Sequence, residues 1–198
     1  FFGFFFTFMC MLLLINATNY MDGMDGLISL LSIFIFVGML AFIPKVEWNL
    51  LISIICFLIV FLFFNFGILP KQFLGDSGSL GIGFFLSAIS IYYTQILKVI
   101  DPTIIIWFLS FYVYEFLTIN IIRIKNKKNL FHKDLNFIFN QLNNKFGKFR
   151  TLIICSLTQI FFLINGYIIN NLMLYDLSIL IFIIYFLIYL SLRLKYSS

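Results

Sequence analysis

The chain has 198 residues, of which 63% are hydrophobic and 11% charged, with a formal net charge of +5 and a mean hydropathy of +1.09. That leaves too little polar surface to solvate a globule of this size. A soluble domain is excluded, and the expected fold is all-α, a polytopic bundle of transmembrane helices spanning 1–198 as one membrane domain.

Apolar runs near twenty residues predict about seven spans, at 1–15, 27–43, 50–69, 78–97, 103–122, 151–169 and 174–192. Phe1 opens the chain inside an apolar run with no basic segment ahead of it, unlike a signal peptide, so an N-terminally truncated chain is expected. Cys10, Cys56 and Cys155 are far apart in apolar runs and read as small packing residues rather than a disulfide or zinc framework. Polar connections fall at 16–26, 44–49, 70–79, 98–102, 123–150 and 170–171.

Alternating these connections across a bilayer collects Lys71, Arg123, Lys125, Lys127, Lys128, Lys133, Lys145, Lys148, Arg150, Arg193 and Lys195 on one side, with Lys45 and Lys98 on the other. The positive-inside rule makes the first side cytoplasmic. The same alternation places Asp22, Asp25, Asp76 and Asp134 there, and Glu47, Asp101 and Asp176 outside. The loops at 16–26, 70–79 and 123–150 are thus expected to share a cytoplasmic site in a multi-pass cell-membrane protein.

The first of these loops reads Asn16-Ala-Thr-Asn19-Tyr-Met-Asp22-Gly23-Met24-Asp25-Gly26. Its Asn and Asp residues recur every third position and would share one face of a helix. Two carboxylates this close repel each other unless a cation or basic group stands between them. A plainer reading makes one of them the cap of the helix starting near Leu27. The second loop, Pro70-Lys-Gln-Phe73-Leu-Gly-Asp76-Ser77-Gly78-Ser79, is a Gly/Ser-rich turn opening a helix. Its free N–H groups suit a phosphate, and Asp76 suits a metal shared with that phosphate; capping and close helix packing are the competing roles.

The third loop carries eight basic residues and one acid, Asp134, between Arg123 and Arg150. Leu135, Ile138, Phe139, Leu142 and Phe146 have the spacing of an amphipathic helix at the membrane surface. Its cations would attract anionic lipid or diphosphate, although membrane anchoring accounts for most of them. Glu115 lies within a predicted span, which marks it as a functional candidate or as a structural partner of Arg123. The only histidine, His132, reads as incidental.

Asn16 through Leu27, followed some fifty residues later by Phe73-Leu-Gly-Asp-Ser-Gly-Ser-Leu80, resembles the polyprenyl-phosphate N-acetylhexosamine-1-phosphate transferases, relatives of the phospho-MurNAc-pentapeptide translocase. The segment Lys145-Phe-Gly-Lys-Phe-Arg-Thr151 is closer to the initiating-transferase branch. The resemblance implies Mg²⁺-dependent transfer of sugar-1-phosphate from a UDP-sugar such as UDP-GlcNAc to polyprenyl phosphate, releasing UMP, with Mn²⁺ as an alternative ion. It implies catalytic roles for Asp22, Asp25 and Asp76, with Asp76 the principal metal ligand and Asn19 and Asp22 lining the metal and diphosphate region. Gly23, Met24 and Asp25 would border the uridine and Phe73 would stack on the uracil. Asn16, Ser77, Gly78, Arg123 and Asp134 complete the expected substrate contacts.

The expected partners are the two substrates and the bilayer, with no nucleic acid, and a homodimer is left open. Two features depart from the family. Its adjacent aspartates on an earlier loop would lie upstream of Phe1, and its His-rich motif is replaced here by residues including Phe137, Phe139 and Asn140. The competing readings are the peptidoglycan translocase, a homologue that binds without catalysis, and a transporter using Asp22, Asp25 and Glu115.

Overall fold

In a computed structural model, which describes residues 2–127 and 137–196, the chain is a bundle of α-helices without strands among the described residues. In order they are α1 (Phe2–Tyr20), α2 (Leu27–Leu40), α3 (Trp48–Asn65), α4 (Gly75–Ile91), α5 (Pro102–Phe108), α6 (Ser110–Lys125), α7 (Ile138–Phe146), α8 (Lys148–Asn171) and α9 (Tyr175–Tyr196). Among the described residues five segments are long and apolar enough to cross a membrane: Gly3–Tyr20, Lys45–Asn65, Gly75–Ile96, Lys148–Asn171 and Tyr175–Lys195. The bent pair α5 and α6 brings the number to six, and α2, at 14 residues, is a shorter apolar helix. A multi-pass membrane protein follows from these lengths and compositions.

Glycine makes the α1–α4 crossing close. A Cβ at Gly83 would come within 2.7 Å of the Ile15 Cα and 2.2 Å of Thr18 Oγ1, so only hydrogen fits there. Thr18 is fully buried at this crossing and satisfies its hydroxyl within its own helix, donating to the carbonyls of Leu14 and Ile15.

The fifth predicted span is not one straight helix. It bends by 69° between α5 and α6. Such a break frees backbone polar groups that cannot turn to water inside a bilayer. The fully buried Gln159 on α8 donates its amide to the Phe108 carbonyl at 2.8 Å, directly at the bend. At the start of α5, Asp101 caps the helix by accepting from the Thr103 N–H and hydroxyl, with Pro102 at the first helical position.

Buried aromatic residues fill the centre, and Trp107, Tyr112 and Tyr114 satisfy their polar tips, whereas the buried Tyr93 hydroxyl has no hydrogen-bond partner among the described residues. Trp107 donates to Ser178, Tyr114 to the Phe182 carbonyl, and Tyr112 shares hydrogen bonds with Ser32 and the Ile28 carbonyl. The outer surfaces of α3, α8 and α9 are studded with exposed Phe, Ile and Leu, as lipid contact requires. Cys155 is a buried packing residue as expected, whereas Cys10 and Cys56 sit on the outer surface; all three are free thiols.

Candidate functional site at one end of the bundle

The loops that sequence patterning assigns to one face meet at one end of the bundle. Helix α1 continues through Asn16 and Asn19 to Tyr20, and the chain then makes a tight turn over Met21–Gly26 before α2. The expectation that Asn16, Asn19, Asp22 and Asp25 share one helical face is therefore corrected: two are on a helix and two on the turn that ends it. Asn16 is exposed and returns its amide to the Leu12 carbonyl. The cap of α2 is not an acidic side chain either. It is Gly26, held at φ 82°, a left-handed conformation that favours glycine.

Asn65, at the end of α3, fixes this turn. Its Oδ1 accepts the Gly26 N–H at 2.6 Å while its amide donates to the Gln72 carbonyl at 3.0 Å. One buried side chain thereby ties the acidic turn to the loop before α4. Sequence reading missed Asn65. The signal was there, an amide closing an apolar helix between Phe64 and Phe66, which needs partners when buried.

Asp25 faces two cations. Its Oδ2 accepts from Lys71 at 2.9 Å and Lys148 at 2.7 Å, so the charge shared by the two acids of the turn is offset by lysines from two other segments. Burial acts to raise its pKa, but the hydrogen bonds and positive charge of Lys148 and Lys71 prevail and hold it below the usual carboxylate value. The requirement for a cation or a basic partner is met here by the basic partner.

The second motif opens α4 as expected. Leu74 at the helix start provides no side-chain cap, and exposed Asp76 lies in the first turn. Ser79, one turn on, donates to the Asn19 Oδ1 at 2.9 Å and is fully buried. The two motifs are thus joined directly, α1 to α4. Ser77 and Gly78 line an apolar groove of about 560 Å³ between α3 and α4, together with Leu50, Phe57, Phe61 and Phe85. Phe73 is 71% exposed, with Lys71 Nζ 4.9 Å from its ring centre, which leaves a face open for stacking.

Other expected contacts are placed differently. The Met24 side chain is in the core, leaving its backbone to border any ligand. Gly23 is exposed on one side, while a Cβ there would meet Phe139 at 2.9 Å on the other. Arg123 is 2% exposed and its guanidinium lies over Tyr20 at 5.0 Å and Phe137 at 6.0 Å from the ring centres. Glu115 is fully buried, paired with Arg193 at 3.2 Å and accepting from the Tyr189 hydroxyl and the Ile138 N–H. The Arg193 partnership was not visible in sequence, since 78 positions separate the two residues. Leu135, Asn136, His132 and Asp134 lie outside the described residues.

Oxygen donors at this end include Asp22, Asp25, Asp76 and the Asn19 amide. No three His, Cys, Asp or Glu side chains gather around a point among the described residues. A hard, sparse donor set of this kind fits Mg²⁺, which keeps waters and substrate phosphate oxygens in its octahedron rather than demanding a cage of protein ligands. Mn²⁺ takes the same donors.

The fold and this end of the bundle define a polytopic helical membrane protein with an acidic turn, a free helix N-terminus and flanking cations. Residues 1–94, which contain both motifs, match the model of Glycosyl transferase family 4, so that segment is similar to this family. No curated protein and no solved structure matches the chain. The family supports transfer of a sugar phosphate to a polyprenyl phosphate as the general activity.

Proposed function

We propose that the protein transfers sugar-1-phosphate from a UDP-sugar, UDP-GlcNAc or a similar donor, to polyprenyl phosphate in the presence of Mg²⁺, releasing UMP and initiating a lipid-linked cell-envelope polysaccharide. The site faces the cytoplasm, in keeping with the basic excess at its end of the bundle. The observation that carries this reading is the Ser79–Asn19 hydrogen bond, which brings the two motifs of the family segment against each other.

In the proposed reaction an oxygen of the lipid phosphate forms a bond to the sugar-linked phosphorus of the UDP-sugar. The bond from that phosphorus to the oxygen bridging to UMP breaks, and UMP leaves with the electron pair. Mg²⁺, when bound, supplies charge neutralisation at the diphosphate. Asp76, Asp22 and Asn19 are its proposed ligands, Ser79 orienting the Asn19 oxygen. Ser77 and Gly78 lie in the first turn of α4, whose free N–H groups and positive end suit a phosphate oxygen. Phe73, exposed beside Lys71, stacks on the uracil, and the Gly23–Asp25 backbone borders the nucleoside.

The test uses the full-length protein in membranes, incubated with radiolabelled UDP-GlcNAc, polyprenyl phosphate and Mg²⁺. Label entering the organic phase with release of UMP, abolished by EDTA, is the expected result. Absence of product with UDP-GlcNAc and with other UDP-N-acetylhexosamines, alongside an active transferase control, would overturn it.

A further inference from the structure

Helix α7 belongs to the half of the chain outside the family match, yet it is anchored against the acidic turn from two sides. On the first side Phe139, 1% exposed, sits so close to Gly23 that an added Cβ would meet its Cε2 at 2.9 Å and its Cζ at 3.0 Å. Phe139 stacks on Phe137 with ring centres 5.4 Å apart, and Phe137 in turn lies under the Arg123 guanidinium and edge-on to Tyr20, the last residue of α1. On the second side Glu115 accepts the Ile138 N–H at 2.9 Å, meeting the backbone at the first residue of α7. Arg193, paired with Glu115, donates to Gln141 one turn further along. An ion pair buried within the helix bundle thus holds both the start and the middle of this short helix.

We propose that Glu115 and Phe139 are positioning residues for the acidic turn: Glu115 fixes α7, and α7 presses the Phe139 ring against Gly23 to set where Asp22 and Asp25 stand. The catalytic part of this inference rests on the transferase reading; the mechanical part does not. Gly23 allows the two to be separated. Its backbone lies outside the left-handed region, so alanine is disfavoured there by the Phe139 contact alone.

The experiment compares wild type, Gly23→Ala, Phe139→Leu, the double variant and Glu115→Gln in nanodiscs without substrate. Hydrogen exchange of the backbone amides over residues 21–26 is followed. Gly23→Ala and Glu115→Gln should each speed exchange there about tenfold. Leucine ends before the Cε2 and Cζ positions, so Phe139→Leu in the Gly23→Ala background should return exchange to near the wild-type rate. Unchanged exchange in Gly23→Ala, or no recovery in the double variant, would overturn the mechanical coupling.

The same proteins are then assayed for transfer from UDP-GlcNAc. Gly23→Ala and Glu115→Gln should lower kcat at least tenfold, and the double variant should recover most of it. A methyl group that merely obstructed the nucleotide would raise KM and would not be relieved by shortening Phe139, an outcome that would overturn the positioning role. If wild type makes no product from UDP-GlcNAc or from other UDP-N-acetylhexosamines, the transferase reading fails while the exchange experiment still decides whether α7 sets the turn.

Discussion

Asn65 accepts the Gly26 N–H at 2.6 Å, joining the end of α3 to the residue that starts α2 across 39 positions of sequence. Because the same amide also donates to the Gln72 carbonyl, this one side chain sets the separation of the two motif-bearing loops. Asn65→Leu should leave two buried backbone groups without partners and lower stability by about 2–4 kcal/mol. Asn65→Asp keeps the acceptor for Gly26 and should cost less. Thermal unfolding in detergent, read by intrinsic fluorescence, ranks the two; equal losses would show that the Gly26 bond is not the important one.

Asp76 provides the sharpest chemical prediction. Asp76→Asn preserves shape at the exposed first turn of α4, so membrane insertion and melting temperature should be unchanged. Mg²⁺-dependent transfer should fall at least about a thousandfold, the scale on which a group essential to transition-state charge acts. Normal turnover would remove Asp76 from the mechanism.

The Lys71–Asp25–Lys148 cluster predicts a pH response. The folded-state pKa of Asp25 is lowered, so its contribution to stability is present above the unfolded value of about 3.9 and is lost as pH falls through the lower folded value. Replacing both lysines by Met leaves burial to act alone, which raises the folded-state pKa of Asp25 above its unfolded value, so the Asp25 share of the acid limb of the melting-temperature profile should disappear. A profile that does not move would show that the lysines do not govern Asp25.

Glu115 and Arg193 form a pair at almost complete burial, 0% and 3% exposed at their side chains. Glu115→Leu removes the carboxylate that faces the buried Arg193 guanidinium and should cost about 3–5 kcal/mol. Glu115→Leu combined with Arg193→Leu should cost less than Glu115→Leu alone, because the buried charge goes together with the carboxylate that faces it. Additive losses in a double-mutant cycle would show that the two residues do not act as a pair.

The α1–α4 crossing predicts a strict size limit. Gly83→Leu drives a side chain into the Ile15 backbone and Thr18, and helices cannot yield there without separating Ser79 from Asn19. Melting temperature and transfer should be lost together. Gly81→Ala, where a Cβ meets nothing within 4 Å, should change neither; a large effect at Gly81 would contradict this account of the crossing.

Much of this protein is written locally. Hydropathy and run length determine that it is helical and crosses a membrane, since a bilayer accepts only segments that satisfy their own backbone. Charge placement assigns Asp22, Asp25 and Asp76 to one face, and the motifs themselves carry the family resemblance. The helix start near Leu27 was legible for the same reason, whereas α4 opens at Gly75, inside the expected 70–79 connection and ahead of the span expected from 78.

What local pattern could not decide is which distant side chains meet. The 69° break between α5 and α6 leaves no mark in hydropathy, because both halves are apolar and Gln159, the residue that satisfies the bend, comes from another helix. Asp25 and its lysines, Asn65 and Gly26, and Glu115 and Arg193 are likewise partners only in three dimensions. Sequence determined what kinds of groups the protein carries and which end of the bundle they occupy. Tertiary structure decided their pairing, because burial makes an unpaired polar group costly and the fold alone sets which partners are within reach.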